Sequence, residues 1–343
     1  MRIKHGARWK ELAALLLAAC LTLTLQYKLG QDMMPERYRY GSVWSTYLQE
    51  QKNSVDVLFF GSSIVYCDVI PSVVYEESGC TAYVMAGPEQ TIPLSYYYLK
   101  EACRTQSPKC VFLEVSGTFF GRYTGYSKVN VDYMPMSLNK IGAALECESG
   151  VLSTALFPVA EYHSEAKTMK WREHDEEAAE TAVMLCGYTP LNKARPQDAA
   201  EDRDLSVTPE SEVYRRNLKF LRSIENFCEK KGIALYFYFS PAMARTPEAY
   251  RQQLFSEFPE MEGHLLDWSE LGEALEIDPE TQWYDTLHFN ASGAEVFSGY
   301  LGSFLAEQTE ICGSGAESAL WERRVDYEMQ SIRTMEIEKV VDN

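Results

Sequence analysis

Apolar and polar positions fall along this chain in two kinds of block. Short continuous apolar runs, of the sort that fill a strand buried on both faces, occupy 55–60, 82–85, 110–115 and 233–239, with a shorter one at 265–267. Between them lie stretches with helical spacing. One covers 93–104. A long one opens at Thr208-Pro209-Glu210, where a capping residue is followed by a proline suited to a first helical turn. Its inward side reads Val213, Asn217, Phe220, Leu221, Ile224, Phe227 and Cys228, and Lys230-Lys231-Gly232 stops it. A last helix follows Asn290, a good N-cap, and carries Ala294, Phe297, Leu301, Phe304 and Leu305 toward a core. Alternation of this kind predicts an α/β fold with a parallel sheet covered on both faces. Ligands of such a sheet meet the carboxyl ends of its strands.

Residues 117–207 break the alternation. The stretch is too long for a structureless loop, so it predicts a helical insertion, placed as a lid. It carries Tyr123, Tyr126, Tyr133, Met134, Met136, Tyr162, His163, Trp171 and Tyr188. Aromatic rings with polar tips serve carbohydrate or acyl-chain contact, and serve core packing as well. Asn130, Asp132 and His163 are secondary candidates for substrate binding. Residues 194–207 are polar and predict a mobile loop. The domain plan is a stub and membrane segment at 1–30, a main body at 31–310, and a helical tail at 311–343. That tail begins Gly313-Ser314-Gly315, carries Leu320, Trp321 and Tyr327, and reads as peripheral.

At the N-terminus Arg2, Lys4, Arg8 and Lys10 precede an apolar run from Leu12 to Leu25. Basic residues ahead of such a run mark a secretory signal or an anchor with its basic end cytoplasmic. The run is short against the roughly 20 residues of a full span, and Lys10, Glu11 and Tyr27 extend it by interfacial seating. Leu17-Ala18-Ala19-Cys20 has the form of a lipobox, which would put lipid on Cys20, yet apolar residues continue beyond it. An uncleaved anchor is the favoured reading, and a lipoprotein or a buried first helix stays open. The first two put the body outside the cytoplasmic membrane.

Charge fits an exterior body. The chain holds 32 basic and 50 acidic side chains; residues 1–30 hold five and one, which leaves 27 against 49, a net −22. Such a surface repels nucleic acid and does not adsorb to anionic lipid by charge. Nine cysteines read as mainly free and buried, with Cys80–Cys103 and Cys103–Cys110 left open as bridges. No Cys-x-x-Cys spacing occurs. His174-Asp175-Glu176-Glu177 has the spacing of a solvated helix face, so no metal site is expected.

Two segments carry chemistry. Asp285-Thr286-Leu287-His288 puts a carboxylate three residues before an imidazole, at the entry to the last helix. Gly61-Ser62-Ser63 follows the first strand and opens a helix, which presents a hydroxyl and free backbone N–H groups at the sheet edge. A nucleophile, a base and a carboxylate to fix the base's tautomer are what acyl chemistry requires. Alone, the serines would be helix caps and the histidine a structural one. Their order and context favour the joint reading.

Here the chain resembles the SGNH/GDSL hydrolases. Gly61-Ser62-Ser63 is similar to the Gly-Ser-Ser form of that family's first block, with Ser63 as nucleophile, and Asp285 and His288 match its last block. The resemblance covers roughly 55–306 and implies a three-layer, flavodoxin-like fold. Gly87, within Met85-Ala86-Gly87-Pro88-Glu89-Gln90, stands where the second block has its oxyanion-hole glycine. The expected oxyanion donors are Ser63, Gly87 and Gln90. The third block departs, because the strand at 110–115 runs into Ser116-Gly117-Thr118 and lacks the usual asparagine. The Gly-Ser-Ser form looks most like the envelope-anchored branch, which includes the DltD-type proteins of lipoteichoic acid D-alanylation. That branch implies a serine acyl-ester hydrolase or O-acyltransferase without a cofactor. Its implied partners are an acylated envelope glycan or teichoic acid, the lipid bilayer through the N-terminal segment, and a membrane O-acyltransferase, with no nucleic acid. The alternative is a non-catalytic binding or assembly factor for such polymers, favoured by the missing third-block asparagine.

Overall fold

The structure is a computed structural model that describes residues 5–38, 43–121, 125–163, 175–195, 203, 205, 207–308, 310–313 and 318–340. Arg2, Lys4, Tyr123, Trp171, His174, Ser314, Gly315 and most of the 194–207 stretch lie outside the described residues.

Five parallel strands form the central sheet: β1 (Val57–Phe60), β2 (Ala82–Val84), β3 (Cys110–Glu114), β4 (Ala234–Phe239) and β5 (Leu265–Asp267). Their order is β2-β1-β3-β4-β5, the flavodoxin-like doubly wound order. Each apolar run became a strand because each is short, and β1 to β3 are buried along their whole length. The pleat sends alternate residues to opposite faces. Leu58, Phe60, Val111, Leu113 and Phe237 join one core, whereas Val57, Phe59, Cys110 and Phe112 join the other.

The helices that matter are α1 (His5–Met33), α2 (Ser63–Asp68), α3 (Pro71–Ser78), α4 (Ile92–Ala102), α5 (Tyr126–Asp132), α6 (Leu138–Leu145), α7 (Val151–Leu156), α8 (Pro158–Tyr162), α9 (Glu176–Leu185), α10 (Glu212–Lys231), α11 (Glu248–Glu257), α12 (Ala291–Ala306) and α13 (Ser318–Tyr327). Helices α4 and α10 contribute Leu94, Tyr98, Leu221 and Ile224 to the first core; α2, α3 and α12 contribute Val65, Val74, Phe297 and Leu301 to the second. The sheet between them makes three layers. Helix α12 starts at Asn290, whose side chain accepts from the amides of Ser292 and Gly293.

Several expectations need correction. The long helix starts at Glu212, capped by Ser211 accepting from Tyr214 N, and not at Thr208. Its buried stripe includes Tyr214 and Leu218, while Val213 and Phe220 sit half-buried on the flank. The disulfide is Cys80–Cys312, with Cα atoms 4.5 Å apart, so neither Cys80–Cys103 nor Cys103–Cys110 forms; Cys103 and Cys110 are free. The C-terminal tail is not peripheral. Trp321 stacks on Tyr75 at 5.0 Å, and the Arg324 side chain is fully buried against the Glu50 carboxylate. A two-residue parallel ladder also joins Lys193–Ala194 to Glu338–Lys339.

The insertion is helical, from α5 to α9. Val131, Met134, Ala143, Ala144 and Ala155 pack into the core on the α4 side. Helix α1 is long and apolar enough to cross a membrane: its most apolar 18-residue window within Trp9–Met33 has a mean hydropathy of 1.7, as an anchor or a signal sequence would have.

Candidate active site

Strand β1 delivers the chain to Gly61 at its carboxyl end, and α2 begins two residues later. Glycine is required there by space. A Cβ on Gly61 would sit 2.4 Å from Val65 Cγ2 and 3.0 Å from Glu114 Cβ, so α2 could not start so close to β3. Ser62 occupies the N-cap position but makes no side-chain cap hydrogen bond, and it is buried. Ser63, half-buried, heads the helix, where first-turn amides have no intrahelical acceptor.

The Asp285–His288 segment is the tip of a tight hairpin closed by an antiparallel bridge between Trp283 and Phe289. Tyr284 N donates to His288 O at 2.9 Å across the tip. Thr286 O accepts from Met243 N at 2.9 Å and Ala244 N at 3.0 Å, which pins the turn to the segment after β4. Asp285 Oδ1 accepts from the amides of Leu287 at 2.8 Å and His288 at 2.9 Å. Both Asp285 oxygens also face His288 Nδ1, at 2.9 and 3.0 Å.

The structure brings these residues to Ser63 across 225 positions of sequence: Ser63 Oγ lies 2.8 Å from His288 Nε2. An ionised carboxylate can only accept, so it places the ring proton on Nδ1 and leaves Nε2 to accept from the serine hydroxyl. Burial alone would raise the Asp285 carboxyl. The His288 ring and the Leu287 and His288 amides outweigh it and hold the group below the usual carboxylate range. The constellation is half-buried but reached by solvent, with the His288 side chain 16% exposed. Geometrically it is a hydroxyl, an imidazole and a carboxylate in line, the arrangement that a nucleophile, a base and its orienter require.

One residue in this framework was not singled out from the sequence. Asp68, at the end of α2, is fully buried, and its Oδ1 accepts from Phe289 N, the residue after His288, at 2.9 Å. Ser298 Oγ accepts from Ile70 N at 2.8 Å and donates to Asp68 O at 3.4 Å. Helix α2, the Asp285–His288 hairpin and α12 are thereby bolted together. Burial pushes the Asp68 carboxyl well up, against the lowering effect of the Phe289 amide; nearby Asp285 and Glu114 push the same way as burial. The one signal in the sequence is a lone carboxylate inside the apolar run 64–70.

The other expected residues are placed as follows. Gly87 lies under Asn130: a Cβ there would meet Asn130 Oδ1 at 2.2 Å. Asn130, on α5, is fully buried and donates through Nδ2 to Pro88 O at 2.9 Å, so the insertion clamps the Gly87 turn. Gln90 Nε2 donates to Met85 O at 3.2 Å and Ser95 Oγ at 3.0 Å, which commits its amide within that turn. Asp132 is buried inside the insertion, where it accepts from Tyr162 and Thr154. His163 is exposed, with Nδ1 2.9 Å from Ala160 O of its own turn. Among the described residues neither Asp132 nor His163 hydrogen-bonds to Ser63, Asp285 or His288.

At the end of β3, where an asparagine was missed, Glu114 is buried and accepts from Ser116 N at 3.0 Å and Ser116 Oγ at 2.8 Å. Arg203 Nη1 donates to Ser116 Oγ at 3.3 Å and lies over the Phe120 ring. Burial raises the Glu114 carboxyl, with Ser116 and Arg203 acting against it. Among the described residues no cluster of His, Cys, Asp and Glu has a metal-holding arrangement.

No protein-family model matches the chain, and no curated protein matches it. Solved structures that resemble it distantly include the following two. An acylhydrolase candidate from Bacteroides fragilis gives a TM-score of 0.38 at 9% identity, over 80% of this chain and 99% of its own. A gut microbial diltiazem-metabolizing enzyme gives a TM-score of 0.29 at 13% identity, over 75% of this chain and 47% of its own. At these scores neither likeness extends to residues or activity.

Proposed function

We propose that this chain is a membrane-anchored, extracytoplasmic serine acyl-ester hydrolase or O-acyltransferase acting on a cell-envelope polymer. The observation that carries the reading is the 2.8 Å contact of Ser63 Oγ with His288 Nε2, with Asp285 on the opposite ring nitrogen. In this account Ser63 Oγ attacks an acyl carbonyl while Nε2 takes its proton. Asp285 holds the tautomer and offsets the charge that forms on the ring. Backbone N–H groups of Ser63 and Gly87 receive the oxyanion. Collapse expels the alcohol, protonated by His288, and leaves an acyl-Ser63 ester. Water or a polymer hydroxyl then attacks that ester by the reverse sequence.

Gln90, with its amide committed to Met85 and Ser95, is left out of the oxyanion set. Asn130 acts through the Gly87 turn it clamps, while Asp132 and His163 remain weaker candidates for polymer contact. The anchor reading draws support from α1 and from the acidity of the rest of the chain. The acylated glycan or teichoic acid, and a membrane O-acyltransferase as acyl donor, come from the family resemblance.

The test is turnover of a small aryl ester by the detergent-solubilised full chain, with and without teichoic acid or envelope glycan. Ser63→Ala should lose on the order of a thousandfold or more. A polymer that raises ester consumption and recovers the acyl group marks a transferase. Absence of turnover in the intact protein, with or without polymer, overturns the enzymatic reading in favour of a binding factor.

A further inference from the structure

Helix α1 does not leave the body freely. From Trp9 to Leu25 every residue is exposed, and from Gln26 onward the helix is held by the insertion. Gln26 Nε2 donates to Leu156 O at 2.7 Å. Gly30 lies so close to α8 that a Cβ would meet Val159 N at 2.4 Å and Pro158 Cγ at 2.6 Å. Lys140 Nζ, from α6, sits 5.5 Å from the Tyr27 ring centre, and Tyr133 donates to Pro35 O at 2.8 Å. The insertion is therefore clasped to the helix just where its exposed apolar stretch ends.

The dimensions give that level a meaning. Trp9 and Tyr27, one aromatic at each end of the exposed stretch, are about 27 Å apart along a helix rising 1.5 Å per residue. A bilayer hydrocarbon core is about 30 Å thick, and aromatic side chains concentrate at its two boundaries. If α1 spans, Tyr27 marks the outer boundary. Leu156 and Lys140 are then at that depth, because they touch Gln26 and Tyr27.

The insertion that grips α1 also exposes apolar side chains. Outside α1, five of the seven exposed large hydrophobic residues among the described residues lie between 126 and 157: Tyr126, Met136, Leu138, Leu145 and Phe157. Leu138 is 85% exposed and Leu145 61%; with the half-buried Ile141 they form one stripe of α6 at i, i+3 and i+7. Phe157 directly follows the carbonyl that Gln26 holds. Scattered exposed leucines need no explanation, whereas a cluster on the module that grips the span does.

We infer that the α6–α8 module seats its exposed apolar side chains in the outer interfacial zone of the bilayer that α1 crosses, so the body is held at a fixed attitude on the membrane. The partner is lipid, taken by apolar contact without help from charge, since the body is acidic. The inference rests on α1 being a retained anchor.

The full chain in a Cys20→Ala, Cys103→Ala background, reconstituted in phosphatidylcholine vesicles, tests it. Single fluorophores go on L138C, L145C, F157C, on L17C within α1, and on K219C on the exposed side of α10. Nitroxide carried near the phosphatidylcholine headgroup should quench the fluorophores at 145 and 157 at least about twofold more than the one at 219. Nitroxide deep in the acyl chain should quench position 17. Quenching at 17 with none at 138, 145 or 157 overturns the seating while leaving the anchor intact. No quenching at 17 removes the anchor, and the seating with it.

Discussion

At the scale of single residues, the proposed chemistry depends on which ring nitrogen carries the proton. Asp285→Asn should keep the hairpin, because Asn Oδ1 can still accept from the Leu287 and His288 amides. Its NH2 would face Nδ1, however, and drive the ring proton to Nε2, which could no longer accept from Ser63. Ester turnover should fall by about ten-thousandfold with little change in melting temperature. A loss below tenfold would count against the orienting role. Asp68 makes a different prediction. Its carboxyl is raised by burial, so the stability it contributes is full below the ordinary aspartate value of about 3.9 and is lost as pH rises through its folded value. Asp68→Asn keeps an acceptor for Phe289 N and has nothing to ionise. Its melting temperature should gain on the wild type as pH rises above the ordinary aspartate range, until the wild-type carboxyl ionises in the fold; parallel curves would refute the buried-acid account. Asp68→Ala strands the Phe289 amide and should cost about 1–3 kcal/mol.

Among the elements, the junction of β1, α2 and β3 is set by one missing side chain. Gly61→Ala pushes a methyl into Val65 Cγ2, an overpacking that typically costs about 1–3 kcal/mol. In a Val65→Ala background the same change should cost at least about 0.5 kcal/mol less, and denaturant melts of the four proteins would show it. Additive costs would mean that Val65 is not what excludes the methyl. The strands were readable from sequence because a run buried on both faces needs no partner information. The start of α10 was not, since Thr208 and Ser211 are both good caps and Pro209 suits a turn as well as a first helical turn. Separately, the buried stripe includes Tyr214 and Leu218, with Val213 and Phe220 on its flank, because apolar residues on both sides of the stripe left its centre open in the sequence. The Asp-x-x-His and Gly-Ser-Ser segments were legible because each is local. Asp68 was not, because its partner Phe289 lies 221 residues away and no spacing announces it.

For the whole molecule, the tail closes the fold. Cys80–Cys312 joins the strand-proximal body to the C-terminal segment across 232 residues, and nothing in the sequence favoured that pair over its neighbours. Cys312→Ser should lower stability by about 2–4 kcal/mol. Reductant should destabilise the wild type by a similar free energy and leave the variant unchanged; an equal response in both would deny the bridge. The central claim is that folding brings Ser63 and His288 together as a working nucleophile and base. Mass spectrometry of the full chain after treatment with a fluorophosphonate tests this most directly. A single adduct should map to the peptide bearing Ser63, persist in Ser62→Ala, and vanish in Ser63→Ala and His288→Ala. An unmodified Ser63 in folded wild-type protein, or an adduct that survives His288→Ala undiminished, would contradict it.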